Sequence, residues 1–377
     1  MANVTVKNLS KSFPGQEASG RSSVSDVSFE IVDGEFAVLI GTPGSGKTTV
    51  LRTIAGLEDT SRGDIFIGGR RVNDVSPKDR DIAMVFRDSA LYPHMSVYDN
   101  IAFGLKRRKF GETEIRKRVE DAASILAIEK LLHQKPPVLP AGDRMRVALA
   151  RAIVRQPKVF LFDDPLGDLD VKTRAEIRAD IARLHQRLEA TMIYVTPDQT
   201  EAMTMGDRLV VMDRGVVQQS DTPQAVYHTP ANVFVAGLIG SPPMNFIHGK
   251  LKQEREALVF SESDGGTIES RFNAADRPEA RSFVGKAVIF GIRPQAVRPV
   301  QQADGKGSVR TSFPALIDIV APMGAETDLS VQTGAHKIVC RSSAVAESSS
   351  QAGRRVRFEI DVAAAHLFDP DSTRRIA

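Results

Sequence analysis

Phe36-Ala37-Val38-Leu39-Ile40, followed by Gly41-Thr42-Pro43-Gly44-Ser45-Gly46-Lys47-Thr48, decides the fold of this 377-residue chain. The unbroken apolar run suits a strand buried on both faces of a parallel sheet, and residues 49–57 suit a helix. Between them the turn fits G-x-x-x-x-G-K-[ST], in the strand-to-helix setting that gives the pattern its chemistry. Glycines let backbone N–H groups curl around phosphate oxygens, and the helix N-terminus adds positive potential. Lys47 can reach the β- and γ-phosphates, and the Thr48 hydroxyl can ligate Mg²⁺. The predicted nucleotide-binding residues are therefore Gly41, Thr42, Pro43, Gly44, Ser45, Gly46, Lys47, Thr48 and Thr49. A plain glycine-rich turn is the competing reading, and it leaves the match at every fixed position unexplained.

Working outward, Val159-Phe160-Leu161-Phe162 is a second apolar run, ending in Asp163, and Met192-Ile193-Tyr194-Val195 is a third that leads into a helix-like stretch. Strands alternating with helices predict a doubly wound α/β core of the P-loop NTPase, RecA-like kind. In that setting Asp163 joins Thr48 as a candidate for holding Mg²⁺; without the loop upstream, a strand-end aspartate is more often a helix or turn cap. Residues 4–31 alternate short strand-like runs with the polar segment 14–25, read as an exposed loop. From about 89 to 155 the spacing of Ile115, Val119, Ala122 and Leu126 predicts a helical insert. Ser241-Pro242-Pro243 marks a break, and the β-rich runs beyond it (287–291, 356–362) predict a small all-β domain, a barrel. The expected domains are 1–240 and 241–377.

Composition narrows the classes. Hydrophobic residues make up 42% and charged residues 26%, which is ordinary for a globular chain and excludes a disordered or fibrous one. Cys340 is the only cysteine, which excludes internal disulfides and cysteine-cluster metal sites, and the histidines lack metal-ligand spacing. No apolar run reaches the ~18 to 20 residues that span a bilayer. Met1-Ala2-Asn3-Val4-Thr5-Val6-Lys7 has no signal-peptide pattern, so membrane association is expected only through a partner. A net charge of +3 without a concentrated basic stripe argues against nucleic acid as a partner, and the cluster Lys106, Arg107, Arg108, Lys109 reads as a solvated face.

Longer segments carry a resemblance. Arg80-Asp81-Ile82-Ala83-Met84-Val85-Phe86 and Ala90-Leu91-Tyr92-Pro93-His94-Met95-Ser96-Val97-Tyr98-Asp99-Asn100-Ile101-Ala102-Phe103-Gly104-Leu105 are followed by 144–157, Asp168-Leu169-Asp170 and 207–212. Together they resemble the ABC ATPases of the maltose and glycerol-phosphate importer type. Gly291-Ile292-Arg293-Pro294 and His366-Leu367-Phe368-Asp369 are similar to the oligonucleotide-binding-like (OB-like, TOBE-type) regulatory domain of that subfamily. The resemblance implies an ATP- and Mg²⁺-binding subunit on the cytoplasmic side of a bacterial inner membrane. It further implies a dimer of nucleotide-binding subunits sandwiching two ATP molecules, held beneath two transmembrane permease subunits and served indirectly by a solute-binding protein. Residues around 92–105 resemble the surface that receives a permease, and Phe13 stands where the family stacks an aromatic on adenine; ordinary core packing is the other reading of Phe13.

Four motifs depart from the family. Where it has glutamine, glutamate and histidine, this chain has Arg87, Asp164 and Pro197, and its signature reads Leu139-Pro140-Ala141-Gly142-Asp143 in place of Leu-Ser-Gly-Gly-Gln. Asp164 keeps a carboxylate one methylene short, so it is a weak base candidate. Pro197 cannot hold a γ-phosphate. Thr196, Pro197 and Gln199 read as a capping box with proline opening the helix. Arg87 brings a fixed charge that either disfavours Mg²⁺ or contacts the γ-phosphate as an arginine finger would. Pro140 lacks the serine hydroxyl, and Asp143 brings negative charge to the surface expected to face a partner's ATP. Binding is expected to survive and turnover to suffer, which implies a second, competent ATPase subunit that is a different chain. A fully active homodimer using Asp164 as base is the alternative. The solute implied is a sugar, glycerol or glycerol phosphate.

Overall fold

The computed structural model describes residues 2–13, 23–300, 310–343 and 351–376, so most of the expected exposed loop, 14–22, lies outside the described residues. Two compact units make up the chain, Met1–Gln224 and Ala225–Ala377.

In the first unit Phe36–Gly41 is buried at every position and lies inside a six-stranded sheet, with Thr191–Thr196 and Arg208–Asp213 parallel on either side. Val159–Asp163 and Ile82–Phe86 extend the parallel set, and Val216–Asp221 adds an antiparallel edge. Near-continuous apolar strands are what a sheet covered on both faces requires. Register then does the positioning: Ile40 pairs with Thr196, Asp163 with Val195, and Phe86 with Asp163. The carboxyl ends of four strands are therefore level, and the residues that follow them emerge along one crevice. A four-stranded antiparallel sheet, in the order Val24–Ile31, Val4–Lys11, Arg62–Ile67, Arg70–Arg71, shares a core with this sheet through Val4, Ile31, Leu39 and Ile54.

Between Ile82–Phe86 and Val159–Asp163 come the helices Val97–Arg107, Glu112–Ile125 and Ala141–Ile153. Ile115, Val119, Ala122 and Leu126, whose spacing announces the insert, are all buried. Ser96 caps the first of these helices by accepting from Asp99 N, and Lys106 near its end pairs with Asp99 at 2.7 Å. Residues 106–109 are exposed, as a solvated face should be.

The second unit holds two five-stranded antiparallel sheets, ordered Glu269–Asn273, Ala257–Glu262, Asn245–Glu254, Ala287–Ile292, His366–Phe368 and Val297–Pro299, Arg355–Asp361, Arg310–Pro322, Glu326–Gln332, Lys337–Ser343. One core joins them, built on Phe260, Phe290, Phe313 and Phe358. The compact units divide at 224/225 and not at 240/241. The reason is Arg293, whose guanidinium donates to Ile239 O and Tyr227 O at 2.6 Å each and lies 3.7 Å from the Tyr227 ring centroid. Ala236 also packs with Met244, Ile289 and Phe368, so residues 225–240 belong with the β-rich unit.

Candidate nucleotide-binding site

The phosphate loop runs from the buried strand into the helix Lys47–Ala55. Gly46 has φ 95°, and a Cβ there would lie 2.8 Å from Ser23 O, so both conformation and space demand glycine. Thr42, Pro43 and Gly44 are exposed at the tip, while Ser45 and Lys47 are buried. The Lys47 ammonium donates to Gly41 O and Thr42 O at 2.8 Å and to Ser45 Oγ at 3.1 Å, folded against its own loop. Burial lowers its pKa, and attraction from Asp164 offsets part of this.

Thr48 Oγ1 donates to Asp163 Oδ1 at 3.0 Å. That places two oxygen donors side by side, the set a hard divalent cation takes, beside a lysine built to meet phosphate. The residues present thus fit a nucleoside triphosphate with Mg²⁺: Lys47 and the loop amides for phosphate, Thr48 and Asp163 for the metal. Burial raises the Asp163 pKa, opposed by the Thr48 hydrogen bond and by Arg52.

Beside them, Asp164 sits at φ 47°, held by its N–H donating to Val195 O at 3.0 Å. Its carboxylate is engaged: Arg87 Nη1 lies 3.2 Å from Asp164 Oδ2, while Arg87 Nε and Nη2 reach Asp168 Oδ1 at 2.9 and 2.6 Å. Gly167 makes the approach possible, since a Cβ there would stand 2.7 Å from Asp164 Oδ2 and 2.9 Å from Arg87 Cζ. Burial raises the Asp164 pKa, and Arg87 pulls it back down. Arg87 and Asp168 are more than half exposed, so their pair contributes only ~0.2–1 kcal/mol. The loop after Arg87 carries positive φ at Ser89 and Ala90, and Arg151 holds it by donating to both carbonyls.

Pro197 borders a cleft of about 340 Å³ together with Arg87, Asp164, Arg174 and Glu201. The capping box expected at Thr196 does not form. Asp198 caps the helix Gln199–Met205 by accepting from Thr200 N and Glu201 N, so Pro197 precedes the helix. Thr196 Oγ1 instead donates to Glu201 Oε2 at 2.8 Å, alongside Tyr194 OH at 2.9 Å. Glu201 is 2% exposed; burial raises its pKa, and the hydrogen bonds from Thr196 and Tyr194 lower it part of the way back. A raised folded-state pKa means that its contribution is fully present below the ordinary glutamate range and is lost as pH rises through the raised value. The urea-stability margin of wild type over Glu201→Gln should accordingly be larger near pH 5 than near pH 7. A margin that grows with pH would show that the hydrogen bonds outweigh burial.

The signature residues open the helix Ala141–Ile153, with Pro140 at the N-cap and no side-chain cap. Asp143 does not present a free charge: Arg146 pairs with it at 3.1 Å and with Asp180 at 2.8 Å. Leu139 is buried, its carbonyl accepting from Arg144 at 2.8 Å. Phe13 is half-buried, with the Lys11 ammonium 5.0 Å from its ring centroid. Asp168, Asp198, Glu201 and Arg146 carry much of this arrangement without having been assigned roles from sequence. Asp168 had the clearest signal, five residues after Asp163 in a segment already singled out.

A glycine-rich loop between a buried strand and a helix, the Thr48–Asp163 pair beside it and a helical insert between adjacent parallel strands are the features of an ATP-binding cassette. The chain belongs to the ABC transporter ATP-binding proteins. A family model described as "ABC transporter" matches residues 24–167, one for the MalK OB fold domain matches 240–297, and one for the TOBE domain matches 290–368. The oligosaccharides import ATP-binding protein MsmX of Bacillus subtilis is 46% identical over 377 residues, spanning 100% of both chains. The trehalose/maltose import ATP-binding protein MalK of Thermococcus litoralis is 46% identical over 360 residues, 94% of this chain and 95% of its own. Among solved structures, the dimeric post-hydrolysis state of the cassette MJ0796 bound to ADP and Pi aligns at TM-score 0.52 and 28% identity, covering 58% of this chain and 98% of that one. No described helix is long and apolar enough to cross a membrane.

Proposed function

We propose that this chain is the ATP-binding subunit of an importer for an oligosaccharide or related sugar. In this reading ATP binding and dimer closure drive two permease subunits fed by a solute-binding protein, from the cytoplasmic side of the membrane. Its phosphate loop, Thr48 and Asp163 bind ATP and Mg²⁺, while its own site hydrolyses slowly and a second, competent ATPase chain supplies turnover. The observation that carries the reading is the Arg87 bridge to Asp164 and Asp168, which engages the carboxylate directly after Asp163, where a base would act. Pro197 adds to it, offering no donor for a γ-phosphate. The names of the two relatives support sugars and oligosaccharides, and neither mentions glycerol.

A specific observation favours the alternative, a homodimer active through Asp164: burial raises the pKa of that carboxylate, which makes it a better proton acceptor. Asp164→Asn in the intact transporter separates the two. Under the slow-site reading, turnover of the complex stays within about twofold of wild type, whereas a working base would cost ~10²-fold or more. Copurification of a single kind of ATPase subunit, with full turnover, would remove the two-chain reading.

A further inference from the structure

The second unit contains a cavity of about 800 Å³ unrelated to the phosphate loop. One wall is Arg277, whose guanidinium lies 4.7 Å from the Phe272 ring centroid and donates from Nη2 to Ala365 O at 2.7 Å. Its Nη1 is buried without a hydrogen-bond partner. Arg375, His228 and His366 line the same space. No described carboxylate lies within ion-pair distance of Arg277 or Arg375, although Asp276 and Glu279, both exposed, also line the cavity. Burial and the proximity of Arg375 lower the Arg277 pKa, with Asp276 opposing. Burial, then repulsion from Arg375, Arg293, Arg277 and His228, pushes His366 down to about 4. Arg271 at the rim is already paired with Glu254 at 2.6 Å, whereas half-buried Arg277 and exposed Arg375 gather positive charge that Asp276 offsets only in part, a state that a bound anion relieves.

We propose that this cavity binds a phosphorylated sugar, with Arg277 and Arg375 on the phosphate and Asp276 and Glu279 accepting from hydroxyls. Size and composition select the class. The volume lies within the ~300–1,000 Å³ of small-molecule sites and exceeds what a bare phosphate ion fills. Two carboxylates in an anion site are costly unless the ligand brings donors to them, and hydroxyl groups are such donors. Phe272 and Ala365 hold Arg277 in one orientation, so little side-chain entropy remains to be lost on binding. The lining residues all belong to the second unit, so the assignment rests neither on the transported solute nor on turnover at the phosphate loop.

Glucose 6-phosphate, inorganic phosphate and glucose, each titrated calorimetrically into the full chain carrying Lys47→Ala, test it free of interference from the phosphate loop. Glucose 6-phosphate should bind more tightly than the other two. Arg375→Gln should weaken it about 10-fold or more, since one charge-assisted hydrogen bond is lost. Arg375 is exposed and makes no side-chain hydrogen bond or ion pair among the described residues, so this variant should fold normally. Glu279→Gln should weaken glucose 6-phosphate and leave inorganic phosphate unchanged, and the His366 resonance should titrate at higher pH when ligand is bound. Equal affinity for inorganic phosphate, or unchanged affinity in Arg375→Gln, would overturn the assignment.

Discussion

Replacing Lys47 by alanine should weaken ATP binding about 100-fold, the largest loss expected from any single side chain here. The ammonium stands at the carboxyl end of a fully buried strand and in contact with the loop that must cradle phosphate. Hydrogen bonds to a charged group are worth ~1.5–3 kcal/mol each, and a lysine reaching two phosphates forfeits about 3 kcal/mol when truncated. Burial lowers its pKa even as Asp164 opposes this, so the charge is already partly desolvated before ligand arrives. Its present acceptors, Gly41 O, Thr42 O and Ser45 Oγ, also lose a shared donor, and the loop should become more mobile. Equilibrium titration with a fluorescent nucleotide measures the effect, with circular dichroism confirming the fold. A loss below about threefold would mean that the loop amides and Thr48 carry the affinity without Lys47.

The sequence displays the loop because its function is local: eight consecutive residues meet every requirement of phosphate binding. Asp163 is legible for a related reason, since an apolar strand ending in a carboxylate follows from hydrophobic pattern alone. The Arg87 bridge is of another kind. Arg87 and Asp164 lie far apart in the chain and meet because Phe86 pairs with Asp163 in a parallel register that no local pattern dictates. Asp143 shows a related limit: Arg146, three residues on along the same helix, covers its charge, and Asp180, distant in the chain, holds that arginine from its other side. At Thr196 two capping schemes compete within three residues. Asp198 wins because its carboxylate reaches both Thr200 N and Glu201 N, whereas the Thr196 hydroxyl is drawn to the buried Glu201. Residues 225–240 join the second unit through a guanidinium that the chain supplies more than fifty residues later.

Arg87→Gln combined with Asp164→Glu should raise the ATP turnover of this chain by about 10- to 100-fold. The two substitutions act on separable defects. Arg87 holds Asp164 through a 3.2 Å contact while anchored to exposed Asp168, and a bridge this solvated is worth ~0.2–1 kcal/mol, so freeing it alone gives at most about a fivefold gain. The added methylene restores reach, and a well-placed base contributes ~10²- to 10⁴-fold. Room exists on the cleft side, where Arg174, Pro197 and Glu201 wall a space of about 340 Å³. Gly167 must stay, because even one added carbon would collide with the carboxylate being repositioned. With Pro197 unchanged the gain should stop short of the upper end of the range for a general base. A steady-state phosphate-release assay on the purified chain, with each single variant alongside, resolves the contributions. If the double variant is no faster than wild type, the base and its bridge do not limit turnover, and the defect lies with Pro197 or with the signature at Pro140 to Asp143.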